Sequence, residues 1–221
     1  MIAKNLMSIF IQPLRKSDKI SKAMKLMDEN KVTHLPVIDE KNYIGLISES
    51  ELMATADDSG IIEPLCKALP RPFINDYEHF FNALKIMTEQ RISVLPVLDE
   101  KKYYAGLITA PMLLTELAQT MSVNNPGGII ILEVNQNDYS MSEIARIAEA
   151  NDAKILNAAV KSIPDSTRME VTLKLNRMNL EPVMQTFVRY GYDISFYFGD
   201  NEKNETMLRE RYDLLMRYLE T

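Results

Sequence analysis

The chain has 221 residues, a length that fits one large domain or two modest ones. Lys and Arg number 25 against 31 Asp and Glu, and this net charge of -6 disfavours a nucleic-acid-binding protein, which needs a positive surface. The single cysteine, Cys66, excludes an internal disulfide, and one Cys with two His cannot complete a Cys/His zinc site. An apolar fraction of 46% indicates a folded globular protein.

The sequence offers neither a membrane span nor a signal peptide. It contains no run of about 18 apolar residues, the length that crosses a bilayer. Pro13, Arg15 and Lys16 interrupt the N-terminal stretch where a signal peptide would still be apolar. We therefore expect a cytoplasmic protein that does not bind membranes.

A duplicated segment organises the first half of the chain. Residues 23–41 align with residues 83–101 with ten identities in nineteen positions. One extra residue near 103–104 then changes the offset from 60 to 61, so that Gly45-Leu46-Ile47 matches Gly106-Leu107-Ile108. Two copies of one small unit, packed together, form a single domain of about 120 residues.

Each copy predicts a helix, two strands and a second helix. Apolar residues spaced i, i+3, i+4 and i+7 from Ile20 and from Phe80 predict the first helices, for which Ser17 and Asp76 are candidate N-caps. Short extended segments are predicted before them, at 9–11 and 73–74. The strand pairs are predicted at 35–38 with 43–47 and at 95–98 with 103–108, and Ser48 and Thr109 are expected to cap the second helices.

The repeat pattern stops at the turn signal in residues 124–128. Strands are predicted at 129–134, 154–162, 169–175 and 194–198, with helices at 181–190 and after Ser140, which forms an S-x-x-E capping box with Glu143. The order β-α-β-β-α-β is typical of the ferredoxin-like arrangement. A final helix is predicted at 204–221, with an apolar stripe of Leu208, Tyr212, Leu215 and Leu219.

The duplicated LPVID…GLIS and LPVLD…GLIT segments resemble the cystathionine-β-synthase (CBS) motif, which occurs in pairs called Bateman modules. The β-α-β-β-α-β segment resembles an ACT domain, a regulatory unit, and the whole order is similar to the acetoin-utilisation accessory family. The resemblance implies an α/β (α+β) fold, with CBS motifs at 1–60 and 61–122, an ACT-like domain at 128–200 and a helix at 204–221. It also implies a homodimer that regulates an unidentified protein.

The CBS resemblance further implies a cleft that binds an adenosyl nucleotide, such as AMP, ADP, ATP or S-adenosylmethionine. Family members place the residues around the first proline on the base and phosphates, the role implied for His34, and use the acid of a T-x-x-D pattern to hold the ribose hydroxyls. Carried over to this chain, the first site comprises Thr33, His34, Leu35, Pro36, Ser48 and Glu51, with glutamate in place of the aspartate. A weaker second site comprises Ser93, Leu95, Pro96 and Thr109, because Val94 and Met112 stand where the first copy has its histidine and its acid.

Two functions remain open at this point. A ligand-sensing regulatory protein is indicated by the polar residues of the first copy. A ligand-free dimerisation platform is the alternative, because Ser48 and Glu51 also fit a helix capping box and because Tyr139 replaces a glycine of the ACT pattern. No Ser/His/Asp set, glycine-rich phosphate loop or metal-ligand spacing occurs, so we expect no enzyme activity and no cofactor.

Overall fold

Both copies of the repeat form the elements that their apolar spacing predicts. The computed structural model describes residues 1–55 and 60–200. The chain divides into two compact units, Met1–Leu117 and a second unit from Ala118 onward. The helix predicted at 204–221 lies outside the described residues. Among the helices of the described part, none has the length and apolar character to cross a membrane.

The first unit begins with a short helix, α1 (Ala3–Leu6), and then contains the two repeats. Each repeat is a three-stranded sheet with two helices, in which the first pair of strands is parallel and the second is antiparallel. The first repeat consists of β1 (Leu14–Arg15), α2 (Ile20–Asn30), β2 (His34–Asp39), β3 (Asn42–Ser48) and α3 (Glu49–Met53). The second consists of β4 (Ile74–Asn75), α4 (Phe80–Gln90), β5 (Val94–Leu98), β6 (Tyr104–Thr109) and α5 (Ala110–Thr120).

The segment in front of each repeat packs on the other repeat. Ala3 of α1 is completely buried in the core of the second repeat, beside Phe80. Ile62 and Leu69, which precede the second repeat in the chain, are buried in the core of the first. Neither repeat therefore completes its own core.

Backbone hydrogen bonds accompany this exchange of segments. The Leu46 N–H of β3 donates to the Pro70 carbonyl at 2.9 Å, and the Leu107 N–H of β6 donates to the Ser8 carbonyl at 3.0 Å. The Ser8 N–H in turn donates to the Leu107 carbonyl at 2.8 Å. Each exchanged segment thus binds the sheet of the opposite repeat through backbone hydrogen bonds as well as through side chains.

The exchange also explains why the predicted N-caps are wrong. The structure places the N-caps of α2 and α4 at Lys19 and His79, not at Ser17 and Asp76. The first amide of α2 donates to the Gly60 carbonyl, and the first amide of α4 donates to the carbonyl of Met1. Because the exchanged segments satisfy these amides, the helix starts do not depend on the local Ser or Asp.

The extended segment predicted at 9–11 is also misplaced. The strand of the first repeat is β1, in which Leu14 pairs with Val37 and is completely buried. Ile9 and Phe10 are instead 72% and 91% exposed. Three consecutive apolar residues suggested a strand, but the strand forms at Leu14, and of the three only Ile11 packs, partly buried, against the core. In the second repeat the predicted extended segment at 73–74 overlaps the observed strand β4.

Two glycines at equivalent positions permit the exchanged segments to approach the sheets. A Cβ added at Gly45 would lie 2.5 Å from the Cβ of Leu69, and one added at Gly106 would lie 2.8 Å from the carbonyl oxygen of Ser8. Both separations are too short for non-bonded atoms. The glycine in each GLI segment is therefore explained by packing.

The second unit has the β-α-β-β-α-β order that the sequence predicts. Its elements are β7 (Ile129–Asn135), α6 (Met141–Ala150), β8 (Ile155–Ser162), β9 (Arg168–Leu175), α7 (Glu181–Arg189) and β10 (Asp193–Phe198). The strands form one antiparallel sheet in the order β10-β7-β9-β8. Ile144 of α6 and Phe187 of α7 share one core with alternate residues of the sheet. The predicted mixed α/β fold class is confirmed, including its ferredoxin-like arrangement.

The capping box predicted in the second unit forms only in part. The Glu143 N–H donates to the Ser140 Oγ at 3.3 Å, so Ser140 is the N-cap of α6. The Glu143 carboxylate, however, accepts a hydrogen bond from the Tyr192 hydroxyl at 2.9 Å. This contact with a residue 49 positions away joins the start of α6 to the start of β10.

We predict that Gly106→Ala destabilises the protein by about 1 to 3 kcal/mol, the usual cost of overpacking a filled site. The new methyl group meets a backbone oxygen, which cannot move without disturbing the bonds between Ser8 and Leu107. Urea unfolding provides the measurement. Lys85→Ala, at an exposed position of α4, is the control and should change stability by less than about 0.5 kcal/mol. Equal midpoints for both variants would contradict this account of the glycine.

Candidate functional site

The β2–β3 hairpin brings most of the predicted first-site residues to one end of the first repeat. In the antiparallel register His34 lies opposite Ser48, and the Glu49 N–H donates to the Thr33 carbonyl at 2.9 Å. Glu51 follows within the first turn of α3. Side chains that are far apart in sequence therefore meet where β2 starts and β3 ends.

Ser48 and Glu51 form a complete capping box at the start of α3. The Glu51 N–H donates to the Ser48 Oγ at 3.2 Å, and the Ser48 N–H donates to Glu51 Oε2 at 2.7 Å. The Ser48 hydroxyl also donates to Oε2, again at 2.7 Å. Both bonds to the carboxylate use Oε2, so Oε1 of the same side chain is not part of the cap.

His34 is held by a residue of the second repeat. The Ser93 backbone N–H donates to His34 Nδ1 at 3.3 Å, and the Ser93 Oγ lies 3.2 Å from the same nitrogen. The Thr33 N–H donates to Ser93 Oγ at 3.0 Å, and the Thr33 Oγ1 lies 3.0 Å from Nδ1. A backbone N–H can only donate, so these contacts assign Nδ1 as an acceptor and leave the hydrogen of the neutral ring on Nε2.

The surroundings of His34 also favour its neutral form. Partial burial of the ring lowers the pKa of His34 below its usual 6.5, and the nearby negative charge of Glu51 only partly offsets this effect. At neutral pH the ring therefore offers a hydrogen-bond donor at Nε2 without a positive charge.

Leu35 and Pro36 are placed differently from the polar members of the first site. Both are buried, and Leu35 belongs to the core of the first repeat. Only their backbone can face a bound molecule. Thr33, in contrast, is exposed.

Most of the equivalent residues of the second repeat are buried. Val94, Leu95 and Pro96 are buried, and the Thr109 Oγ1 accepts a long bond of 3.4 Å from the Met112 N–H. Ser93, which the sequence assigns to the second site, forms its side-chain bonds with Thr33 and His34 of the first repeat.

The contact of Ser93 with the first repeat was not predicted, although the alignment of the two repeats indicates it. Ser93 and Thr33 are equivalent residues at an offset of 60. Equivalent residues of a duplicated unit contact each other where they lie close to the axis that relates the two copies. This pair does so, since the Thr33 N–H donates to the Ser93 hydroxyl.

The CBS domain family model matches residues 3–57 and 68–131, which together are more than half of the chain. The chain belongs to the CBS domain family. It contains two CBS domains in tandem, as the duplicated sequence predicts. The first match runs from α1 through α3, and the second runs from Ala68 into β7.

Two curated relatives match about half of this CBS protein. A CBS domain-containing protein of Dictyostelium discoideum is 25% identical over 136 residues, which cover 54% of this chain and 93% of that protein. A homoserine O-acetyltransferase of Methanococcus vannielii is 29% identical over 116 residues, 49% of this chain. The chain spans only 23% of the length of the acetyltransferase.

Solved structures of other CBS proteins are also similar. A CBS domain pair/ACT domain protein from Thermotoga maritima is 19% identical with a TM-score of 0.49, covering 54% of this chain and 98% of that one. CBSX2 from Arabidopsis thaliana, in complex with AMP, is 23% identical with a TM-score of 0.46, covering 53% and 96%. The family assignment itself rests on the duplicated sequence and the family match.

In the second unit, Tyr139 packs against the core from the loop that precedes α6. A cavity of about 670 Å³ lies elsewhere in this unit and is lined by charged residues of both signs, including Glu149, Asp152, Lys154 and Arg177. Across the described residues of both units, no three His, Cys, Asp or Glu side chains are grouped so that they could hold a metal ion.

The surroundings of Cys66 indicate a structural role for this residue. The thiol is buried and donates to the Ile62 carbonyl at 3.6 Å. Burial raises the pKa of Cys66, which keeps the sulfur protonated and unreactive at neutral pH.

We predict that His34 makes the protein less stable as the pH falls. Because the pKa of His34 is lower in the folded protein than in the unfolded chain, the unfolded chain binds more protons below about pH 6.5. The free energy of unfolding should therefore decrease as the pH falls through this range. His34→Asn keeps an acceptor near the position of Nδ1 but does not titrate, so its stability should decrease less.

Urea unfolding between about pH 8 and pH 5 measures the difference between the two proteins, and the other histidine, His79, is common to both. An identical pH dependence for the wild type and His34→Asn would contradict the lowered pKa.

Proposed function

We propose that this CBS protein is a non-catalytic regulatory sensor that binds an adenosyl ligand at its first repeat. The observation that carries the proposal is that the two repeats differ in the side chains at their hairpin ends. The hairpin end of the first repeat presents His34, Ser48 and Glu51, whereas the second has Val94, Thr109 and Met112. AMP, ADP, ATP and S-adenosylmethionine are the candidate ligands.

Glu51 is the residue proposed to bind the ribose. A carboxylate can accept hydrogen bonds from both hydroxyls of a cis-diol, and such charge-assisted bonds are stronger than neutral ones. The cap uses Oε2 and therefore holds the side chain in a fixed position with Oε1 available to a ligand. Capping and ribose binding are thus compatible roles for one glutamate.

His34 and Ser93 suggest how ligand binding would be reported. The His34–Ser93 contact joins the first strand of the β2–β3 hairpin to the residue before β5. A ligand that contacts His34 or Thr33 acts on groups that also hold the second repeat. Regulation then requires that the ligand bind one arrangement of the two repeats more tightly than another.

The second unit is proposed to be the ACT-like output or second sensing module, as in the acetoin-utilisation accessory family. Its strand order and helix placement support the assignment. The proposed boundaries are CBS motifs at 1–60 and 61–122 and an ACT-like domain at 128–200. Since fold alone does not establish function, the regulated partner is proposed only as a protein of this class.

The competing proposal is a ligand-free dimerisation platform. It is favoured by the complete capping box, which explains Ser48 and Glu51 without a ligand, and by Tyr139, which packs where the ACT pattern has glycine. The two proposals differ in whether Glu51 is needed for more than the cap.

We predict that a saturating adenosyl ligand raises the melting temperature by roughly 5 to 10 °C, because about 100 Kd of ligand contributes about 2.7 kcal/mol. Glu51→Gln separates the two roles, since glutamine can still cap α3 but lacks the charge. This variant should retain stability without ligand and lose affinity by about tenfold or more, as measured by titration calorimetry.

Met112→Ala is the matched control at the equivalent position of the second repeat, and it should bind normally. A single strong site per chain is expected. Normal binding by Glu51→Gln would reject the assignment of Glu51, and the absence of any shift across the four ligands at millimolar concentration would favour the platform.

A homodimer is also proposed from the CBS resemblance. Light scattering at tens of micromolar protein should give twice the 25.3 kDa mass of the chain. A monomeric mass under those conditions would reject the dimer.

A further inference from the structure

We propose that the first-repeat site selects an adenosine ligand that carries no net negative charge, and that it rejects phosphate groups. The first-repeat site is defined here as Thr33, His34, Ser48 and Glu51. The inference rests on the proposed function, because it names the class of adenosyl ligand that the same site would accept. Its basis is the charge on each group around the hairpin end.

The histidine of the site is held without charge by the second repeat. The Ser93 N–H faces Nδ1 at 3.3 Å, so a proton on that nitrogen would place two N–H donors against each other. Partial burial of the ring acts in the same direction, while Glu51 opposes it more weakly. His34 therefore offers an N–H donor but not the positive charge that phosphate binding favours.

The first turn of α3, which follows Ser48, carries two acidic side chains. Glu49 and Glu51 both occupy the first turn of α3. The Glu51 amide already donates to Ser48, and the Glu49 amide donates to the Thr33 carbonyl. With only five residues and with these amides occupied, α3 provides little of the positive potential that a longer helix offers to phosphate.

The nearest basic residue in sequence is directed elsewhere. Lys31 precedes Thr33 by two positions, but its ammonium lies 2.8 Å from the Asp28 carboxylate. None of the four residues of the first-repeat site is Lys or Arg. A phosphate placed beside His34 would meet the Glu51 carboxylate, with no Lys or Arg among the site residues, and repulsion between like charges at close range is unfavourable.

The same charges suit other adenosine ligands. The ribose hydroxyls can donate to Glu51, and the His34 Nε2–H can donate to an oxygen or nitrogen of the ligand. A ligand with a positive centre, such as the sulfonium of S-adenosylmethionine, gains attraction from Glu49 and Glu51. The predicted order of affinity is therefore S-adenosylmethionine and adenosine first, then AMP, with ATP the weakest.

Titration calorimetry with these four compounds, without added divalent cation, tests the order. Adenosine is expected to bind at least about tenfold more tightly than ATP at low ionic strength, and the ratio should decrease at high salt because screening weakens the repulsion. An affinity that increases from adenosine to AMP to ATP would overturn this inference while leaving the proposed function intact. Absence of binding by all four would overturn both.

Glu49→Gln tests the electrostatic explanation directly, since Glu49 is not assigned to ligand binding. The variant should bind adenosine as the wild type does and should bind AMP and ATP several-fold more tightly. Glu89→Gln, an equal change of charge at an exposed position of α4, is the control and should leave all affinities unchanged. Equal effects of the two variants on ATP binding would overturn the role given to local charge.

The charge state of His34 can be measured without any ligand. The chain has only two histidines, so nuclear magnetic resonance of its imidazole nitrogens resolves His34 from His79. We expect a neutral His34 ring with its hydrogen on Nε2 at pH 7. An imidazolium at pH 7, or a hydrogen on Nδ1 of the neutral ring, would overturn the inference whatever the ligands do.

Discussion

The reciprocal exchange of the segments that precede the two repeats is the interaction on which the first unit depends. Each repeat alone has a three-stranded sheet and two helices but an incomplete core. Ala3 completes one core, and Ile62 with Leu69 completes the other. The same exchange supplies hydrogen-bond acceptors to the first amides of α2 and α4, and it requires glycine where each sheet receives the incoming chain.

The two repeats have nearly the same backbone arrangement, whereas the side chains at their hairpin ends differ. His34, Ser48 and Glu51 in one copy correspond to Val94, Thr109 and Met112 in the other. The two repeats therefore share the backbone of the hairpin end but differ in the side chains that it presents. Ser93 of the second repeat instead contacts the first repeat, and its backbone N–H donates to Nδ1 of His34.

The parts of the fold that local sequence determines were predictable. Helices α2 and α4 follow from apolar spacing, and the capping box at Ser48 follows from its four-residue pattern. The N-caps of α2 and α4 and the position of β1 were not, because their partners lie about twenty to eighty positions away along the chain. His34 was identifiable as a candidate site residue, but partial burial lowers the pKa of its ring, and a backbone amide 59 positions away contacts its Nδ1; no local pattern reveals either.

The exchanged segments also determine the order in which the first unit can fold during synthesis. The first repeat cannot close its core until Leu69 has been made, which is more than half of the way along the unit that ends at Leu117. The N-terminal segment waits longer, because its partners lie in β6 and at the start of α4. Contacts of such wide sequence separation slow folding and make it cooperative over both repeats.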